Sequence, residues 1–263
     1  MILIEKNGPI ALLTLNRPES LNALGLEGDG PAVRAACEQI NNDLAIRCTI
    51  LTGAGRAFSS GGDLKAMKER TGAFAGGLED IREGYRRNIH EIVRSLYNLQ
   101  TPLISAINGA AIGLGCDVAC TGDLRIAANS AKFGATFLKI GLIPGDGGAW
   151  LLPRLIGDAR AARLLFTGDV IDAETAKAWG LVSDIYPASD LMAQAFALAE
   201  KVAAQPPQAL RMAKSLLRQG VSASFDAIME MSAASQARMH QTEDHMEGVT
   251  AMLEKRPPNF IGR

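Results

Sequence analysis

Histidine is scarce in this chain: 263 residues contain three, His90, His240 and His245. His90-Glu91 is not followed by a second histidine at HExxH spacing, and no G-x-S-x-G elbow occurs. A zinc hydrolase or a serine hydrolase would lack its usual parts. Cysteine is also sparse, with four at positions 37, 48, 116 and 120. Cys116 and Cys120 have i,i+4 helical spacing, but no further Cys or His supports a metal site around them, so no metal is expected. They read as buried free thiols, which fits a reducing compartment and a cytoplasmic protein. Net charge is only −1. Without a basic stripe the chain lacks the electrostatic footprint of a nucleic-acid binder. No apolar run is long enough to span a bilayer. The start, Met1-Ile2-Leu3-Ile4-Glu5-Lys6, lacks the basic and apolar stretches of a signal peptide and reads as a first strand. No Gly-Lys-Ser/Thr phosphate loop occurs. The G-x-G of Gly113 and Gly115 is followed by Val118, not by the third glycine of a dinucleotide fingerprint.

What is present is a large apolar complement, 48% of the chain, enough for a sizeable core. Ile2 to Lys6 and Ile10 to Leu15 read as a hairpin turned at Asn7-Gly8. Val33, Cys37, Ile40 and Leu44 have helical spacing, and Cys48 to Thr52 reads as a strand. The spacing of Ile81, Tyr85, Ile89, Ile92 and Leu96 predicts one helix over 80–98. Strands are expected at 102–107, 124–127 and 131–133. This alternation argues an α/β fold with helices packed on sheet. From Ser189 onward four helical stretches follow with no strand between them. Met229, Met231, Met239, Met246 and Met252 run through them as a core stripe or a subunit interface. Residues 1–195 are therefore expected to form an α/β core, and residues 196–263 a helical region.

Two loops carry the chemical signal. In Asn108 to Asp117 a buried strand runs through small residues into a helix. Such a turn lets a ligand approach the backbone, and helix-start N–H groups favour negative charge. Asp117 stands beside it as a candidate acid or base. Arg56 to Leu64 repeats the pattern: a short strand, Ser60-Gly61-Gly62, then Asp63 at a helix start. One N–H group from each loop converging on a single oxygen would make an oxyanion hole.

These residues resemble the enoyl-CoA hydratase/isomerase (crotonase) family over essentially the full length. Leu15-Asn16-Arg17-Pro18 with Asn22-Ala23-Leu24 resembles its L-N-R-P…N-A-L opening. Arg56 to Leu64 and Asn108 to Asp117 resemble its two glycine loops. Phe133-Gly134 with Gly141 to Gly145, Thr167-Gly168 with Gly180-Leu181-Val182, and Glu254-Lys255-Arg256-Pro257 with Phe260 resemble its later segments. The resemblance implies a spiral of β-β-α units and a C-terminal helical region that forms a homotrimer or a dimer of trimers. It implies that the substrate is an acyl-CoA thioester and that no separate cofactor is needed. The N–H groups of Gly62 and Leu114 would bind the thioester oxygen. Ala23, Ser60, Gly61 and Lys65 would line the CoA site, with Lys255 near phosphate.

Hydratases of this family use two glutamates, and Asp117 matches the first, one methylene shorter. Phe137 takes the place of the second and cannot transfer a proton. The segment from Gly141 to Arg154 resembles that of the ring-epoxide (1,2-epoxyphenylacetyl-CoA) isomerases. Several isomerases carry an Asp in this turn, but it aligns with Gly145, one residue before Asp146. The expected activity is acyl-CoA hydration or isomerisation with proton transfer by Asp117, helped by Asp146, and Phe137 at the acyl end. His90 and Glu91 lie on a helix at the border of the pocket. A ring-type isomerase and a silent CoA-binding member are the alternatives.

Overall fold

Apolar runs set the strands, and glycine sets their turns. The computed structural model describes residues 1–263. β1 (Ile2–Asn7) and β2 (Ile10–Leu15) form the expected antiparallel hairpin, with Ile2 opposite Leu15. Its turn needs Gly8, whose φ of +59° is left-handed backbone. β3 (Cys48–Gly53) is buried throughout, as a strand covered on both faces must be. β4 (Ala57–Ser59), β5 (Leu103–Ile107), β6 (Ala110–Ile112), β7 (Leu124–Ala128), β8 (Lys132–Gly134), β9 (Val170–Asp172) and β10 (Asp184–Tyr186) follow. They make two sheets, of order β1-β2-β3-β5-β7-β10 and β4-β6-β8-β9. The larger is parallel from β2 onward. The chain passes from one sheet to the other and then into a helix, three times over, which is the expected β-β-α spiral. The segment expected as a plain strand-turn-helix at 102–120 holds a second strand, β6, inside its small-residue turn.

Helices cover the sheets. α1 (Asp29–Asn42) buries Val33, Cys37 and Ile40. Leu44, expected on the same face, lies past the helix end and is exposed. α2 (Leu64–Glu69) is short. The single helix expected over 80–98 is instead α3 (Leu78–Gly84) and α4 (His90–Tyr97), joined by a π-helical turn at Tyr85–Ile89. The wider turn rotates the face that follows it. Ile89, Ile92 and Leu96 are buried, while Ile81 and Tyr85 are only half-buried. Buried Asn88 ties this turn down: its amide oxygen accepts from Gly30 N at 2.5 Å, and its amide nitrogen donates to the carbonyls of Gly25 and Leu26. α5 (Leu114–Cys120), α6 (Gly148–Ile156), α7 (Asp158–Thr167) and α8 (Ala173–Trp179) complete the layer. Between helices and sheets lie Leu13, Phe58, Ile92, Leu96 and Phe133, each contributing about 1.5–3 kcal/mol by leaving water.

The outer face of the larger sheet is covered by α9 (Leu191–Ala203). Leu191, Ala195, Ala199 and Ala203 pack on Ile50, Ile104 and Ile126. The boundary expected at 195/196 falls inside this helix, whose two halves share one packed layer. α10 (Pro207–Gly220) is tied to the core by buried Lys214, which donates to Thr101 O at 2.8 Å and pairs with Asp123 at 2.7 Å. α11 (Phe225–Met239) buries no residue, and α12 (Glu243–Glu254) is mostly exposed. Met229, Met246 and Met252 are exposed too, so these positions of the methionine stripe are surface in the single chain. No helix is long and apolar enough to cross a membrane. All four cysteines are free and buried, and burial pushes the Cys37 and Cys48 thiols up to about 12.

Candidate active site

The first loop is built by close backbone packing. Leu24 runs beside it, donating to Gly61 O at 2.8 Å and accepting from Asp63 N at 3.1 Å. Ala23 is buried next to that bridge. Gly61 has φ +91°, and a Cβ there would strike the Ile112 carbonyl and lie 3.3 Å from Leu114 N. Only glycine lets the two loops meet. Ser60 donates from its backbone to Leu21 O and from its hydroxyl to Ser20 O. Asp63 is spent on structure: its side chain accepts from Ala66 N and caps α2. The backbone N–H of Gly62 has no acceptor in the protein.

The second loop closes from the other side. Gly113 has φ +53° and donates to Gly134 O at 2.8 Å. Leu114 buries its side chain in the core. As the first residue of α5, its N–H has no partner within the helix. Gly62 and Leu114 line one cavity of about 230 Å³, with Ser60, Tyr85, Phe137 and Asp146. Apolar side chains, among them Leu64, Met67, Ile89, Ile112 and Leu142, supply most of its remaining wall. Four larger depressions, of about 410, 540, 530 and 510 Å³, lie elsewhere and are lined mainly by polar residues. The small cavity is the one that gathers both loops and an acid.

The structure places the two acids in different surroundings. Asp117 is fully buried and is not among the residues lining the cavity. One carboxyl oxygen accepts from Gly148 N, the first residue of α6, at 2.8 Å, and the other has no partner. A Cβ on Gly148 would collide with that carboxyl. The short Asp117 side chain is thus roofed by the start of α6. Asp146 reaches the cavity and is 6% exposed. Burial pushes its carboxyl up to about 7. Asp117 is raised well above the carboxylate range by burial first, then by Cys120 and by Asp146. Asp146 therefore titrates near neutral pH, and burial disfavours the ionised form of Asp117.

Phe137 forms part of the wall, in a 3-10 turn over Phe137–Ile140. His90 is not a cavity residue; its Nε2 lies 2.8 Å from Gly145 O and anchors the turn that carries Asp146. Glu91 pairs with Arg34 at 2.8 Å. Lys65 is exposed beside Glu69, and Lys255 is exposed at the end of α12; neither lines the cavity. Tyr85 and Lys139 are among the lining residues that escaped sequence reasoning. Tyr85 carried a signal, its place on a helical apolar face, which reads as core until the π turn is known.

A β-β-α spiral with two abutting glycine loops around an acid-bearing apolar cavity defines an acyl-thioester enzyme of the crotonase type. The chain belongs to the enoyl-CoA hydratase/isomerase family, whose profile matches residues 5–263. It is 39% identical over 97% of its length to the 1,2-epoxyphenylacetyl-CoA isomerase of Escherichia coli K12, covering 95% of that protein. It is 34% identical to the crotonyl-CoA hydratase of Syntrophomonas wolfei, covering 100% of this chain and 98% of that one. The crystal structure of an enoyl-CoA hydratase from Bacillus anthracis superposes with a TM-score of 0.92 at 34% identity, covering 100% and 99% of the two chains.

Proposed function

We propose that this chain is an acyl-CoA isomerase that moves a proton along the acyl chain using one carboxyl, Asp146. The observation that carries this reading is that Asp146 is the single carboxyl among the residues lining the cavity. Syn-addition of water needs one group to hold the water and another to protonate carbon. A proton shift needs only one group that takes a proton and returns it. In the proposed reaction the thioester oxygen sits between the N–H groups of Gly62 and Leu114. Asp146 removes a proton from the acyl chain, and the electron pair moves onto that oxygen as an enolate. The two N–H groups stabilise the charge as it forms. The protonated Asp146 then returns its proton to another carbon, so no mass is gained or lost. Asp117 acts as a positioning residue that fixes the start of α6 behind Asp146.

The cavity takes the acyl group and thioester, and the rest of the coenzyme extends outside it. Ser60 and Lys65 lie at the first loop and the helix after it, where a CoA contact fits; Lys255 lies at the end of α12. The isomerase relative supports the mass-neutral reaction, as does Phe137, which places an apolar ring where a second acid would stand. The exposed apolar residues Leu217, Phe225, Met229, Met252 and Leu253 on α10 to α12 support self-association as a homotrimer or dimer of trimers.

The test is a panel of enoyl-CoA and ring-bearing acyl-CoA thioesters followed by mass spectrometry. The expected products are isomers of their substrates. Efficient addition of water to crotonyl-CoA would overturn the reading, and binding without turnover across the panel would favour a silent CoA-binding protein.

A further inference from the structure

Tyr85 is a polar side chain that lines the same cavity as Asp146 and has no part in the mechanism above. It stands at the head of the π-helical turn, a feature that concentrates at functional sites. Its ring is held edge-on by Phe74, with centroids 6.2 Å apart, and by His90, at 5.9 Å. His90 in turn grips the Gly145 carbonyl. A Cβ on Gly145 would lie 3.7 Å from Tyr85 Cε1. The ring is therefore packed against the turn that carries Asp146. Its hydroxyl makes no hydrogen bond within the protein and is not sealed from solvent, so it is open to a ligand.

The rest of the wall is mostly apolar, with Met67, Ile89 and Leu142 in the same cavity and Thr136 and Lys139 as its other polar side chains beside Ser60. An oxygen atom on an acyl chain entering this end would lose its water and gain nothing unless a donor met it. We infer that the Tyr85 hydroxyl is that donor, and that it selects acyl-CoA thioesters carrying an oxygen substituent on the acyl chain. The thioester oxygen is met by Gly62 and Leu114 on the loop side, so the cavity offers two separate oxygen sites. Burial first, then the negative charge of Asp146, raises the phenol above its ordinary value, which keeps it a donor at neutral pH. The inference uses the reading of Asp146 to place Tyr85 along the acyl chain, but its test does not depend on turnover.

The experiment is calorimetric titration of butyryl-CoA and 3-hydroxybutyryl-CoA into the wild-type protein, Tyr85→Phe and Asp146→Asn. The wild type is expected to bind the hydroxylated ligand about 3–10-fold more tightly, the worth of one net hydrogen bond. Tyr85→Phe is expected to bind both ligands equally, at the wild-type affinity for butyryl-CoA. Phenylalanine keeps the ring packing, and circular dichroism checks that it does. Asp146→Asn is expected to keep the preference. A wild type with no preference, a preference that survives in Tyr85→Phe, equal weakening of both ligands in that variant, or loss of the preference in Asp146→Asn alone would each overturn the inference. Isomerase turnover that survives Asp146→Asn sinks the proposed function instead, and leaves the binding result on Tyr85 standing.

Discussion

Replacing Asp146 by asparagine is expected to make the protein more stable and nearly inactive. The folded state moves this carboxyl from 3.8 to about 7 by burying it. Between about pH 4 and pH 7 the folded chain keeps a proton that the unfolded chain has lost. Stability therefore falls as pH rises through that window. At about 1.4 kcal/mol per pH unit, the carboxyl costs the folded state roughly 4 kcal/mol at pH 8. Asparagine carries no titrating proton, so the variant escapes this cost. Urea unfolding should show the two proteins diverging from near equality around pH 4 to a gap of up to roughly 4 kcal/mol at pH 8. Asp146 also helps raise Asp117, so the gap includes the repulsion between the two carboxyls that the variant removes. Turnover should drop about 100- to 10,000-fold, the range for losing a general acid or base. In the wild type, kcat/KM should rise with pH through about 7, because the ionised carboxyl takes the first proton. A variant no more stable than wild type at pH 8, or one that keeps turnover within about threefold, would refute the assignment of a strained, working carboxyl to Asp146.

Asp117 separates by a pair of variants. Asp117→Ala leaves Gly148 N–H buried without its acceptor and should cost about 1–3 kcal/mol in thermal or urea unfolding. Asp117→Asn keeps an acceptor and should keep turnover within about tenfold; a sharp loss of kcat in a fully folded Asp117→Asn would return the proton to Asp117. Gly61→Ala forces a side chain onto left-handed backbone and against Ile112 O, so it should destabilise by about 1–3 kcal/mol and lower kcat by shifting the Gly62 N–H. Light scattering should give a mass that is a multiple of three chains, and charges at Met252 and Leu253 should reduce it; a monomeric wild type would refute the proposed interface.

The main elements were legible because their signals are local. The Asn7-Gly8 hairpin, the buried run Cys48–Gly53 and the helices from Leu191 onward each announce themselves within their own residues. The break between α3 and α4 did not. An apolar face at 81, 85, 89, 92 and 96 fits an ordinary helix, and the π turn is tied down by Asn88, whose partners at Gly25 and Gly30 are far away in sequence. The convergence of the two glycine loops was readable from their shared pattern. The burial of Asp117 was not, because it depends on where Gly148, 31 residues further on, comes to rest.

Asp146 shows why position in a motif differs from position in space. Read along the chain, an acid one residue later than expected can swing away from the site. Glycine on both sides removes that constraint. Gly145 N donates to Ile143 O at 2.7 Å in a tight turn, and Gly147 adopts φ +121° just before α6. His90 holds the Gly145 carbonyl from the far side. The backbone can therefore turn within 145–147 and present residue 146 to the cavity while α6 still begins at Gly148. The same geometry binds the two acids into one device. The start of α6 that follows Asp146 also covers Asp117, so a single bond from Gly148 N keeps one carboxyl inside while the other lines the cavity.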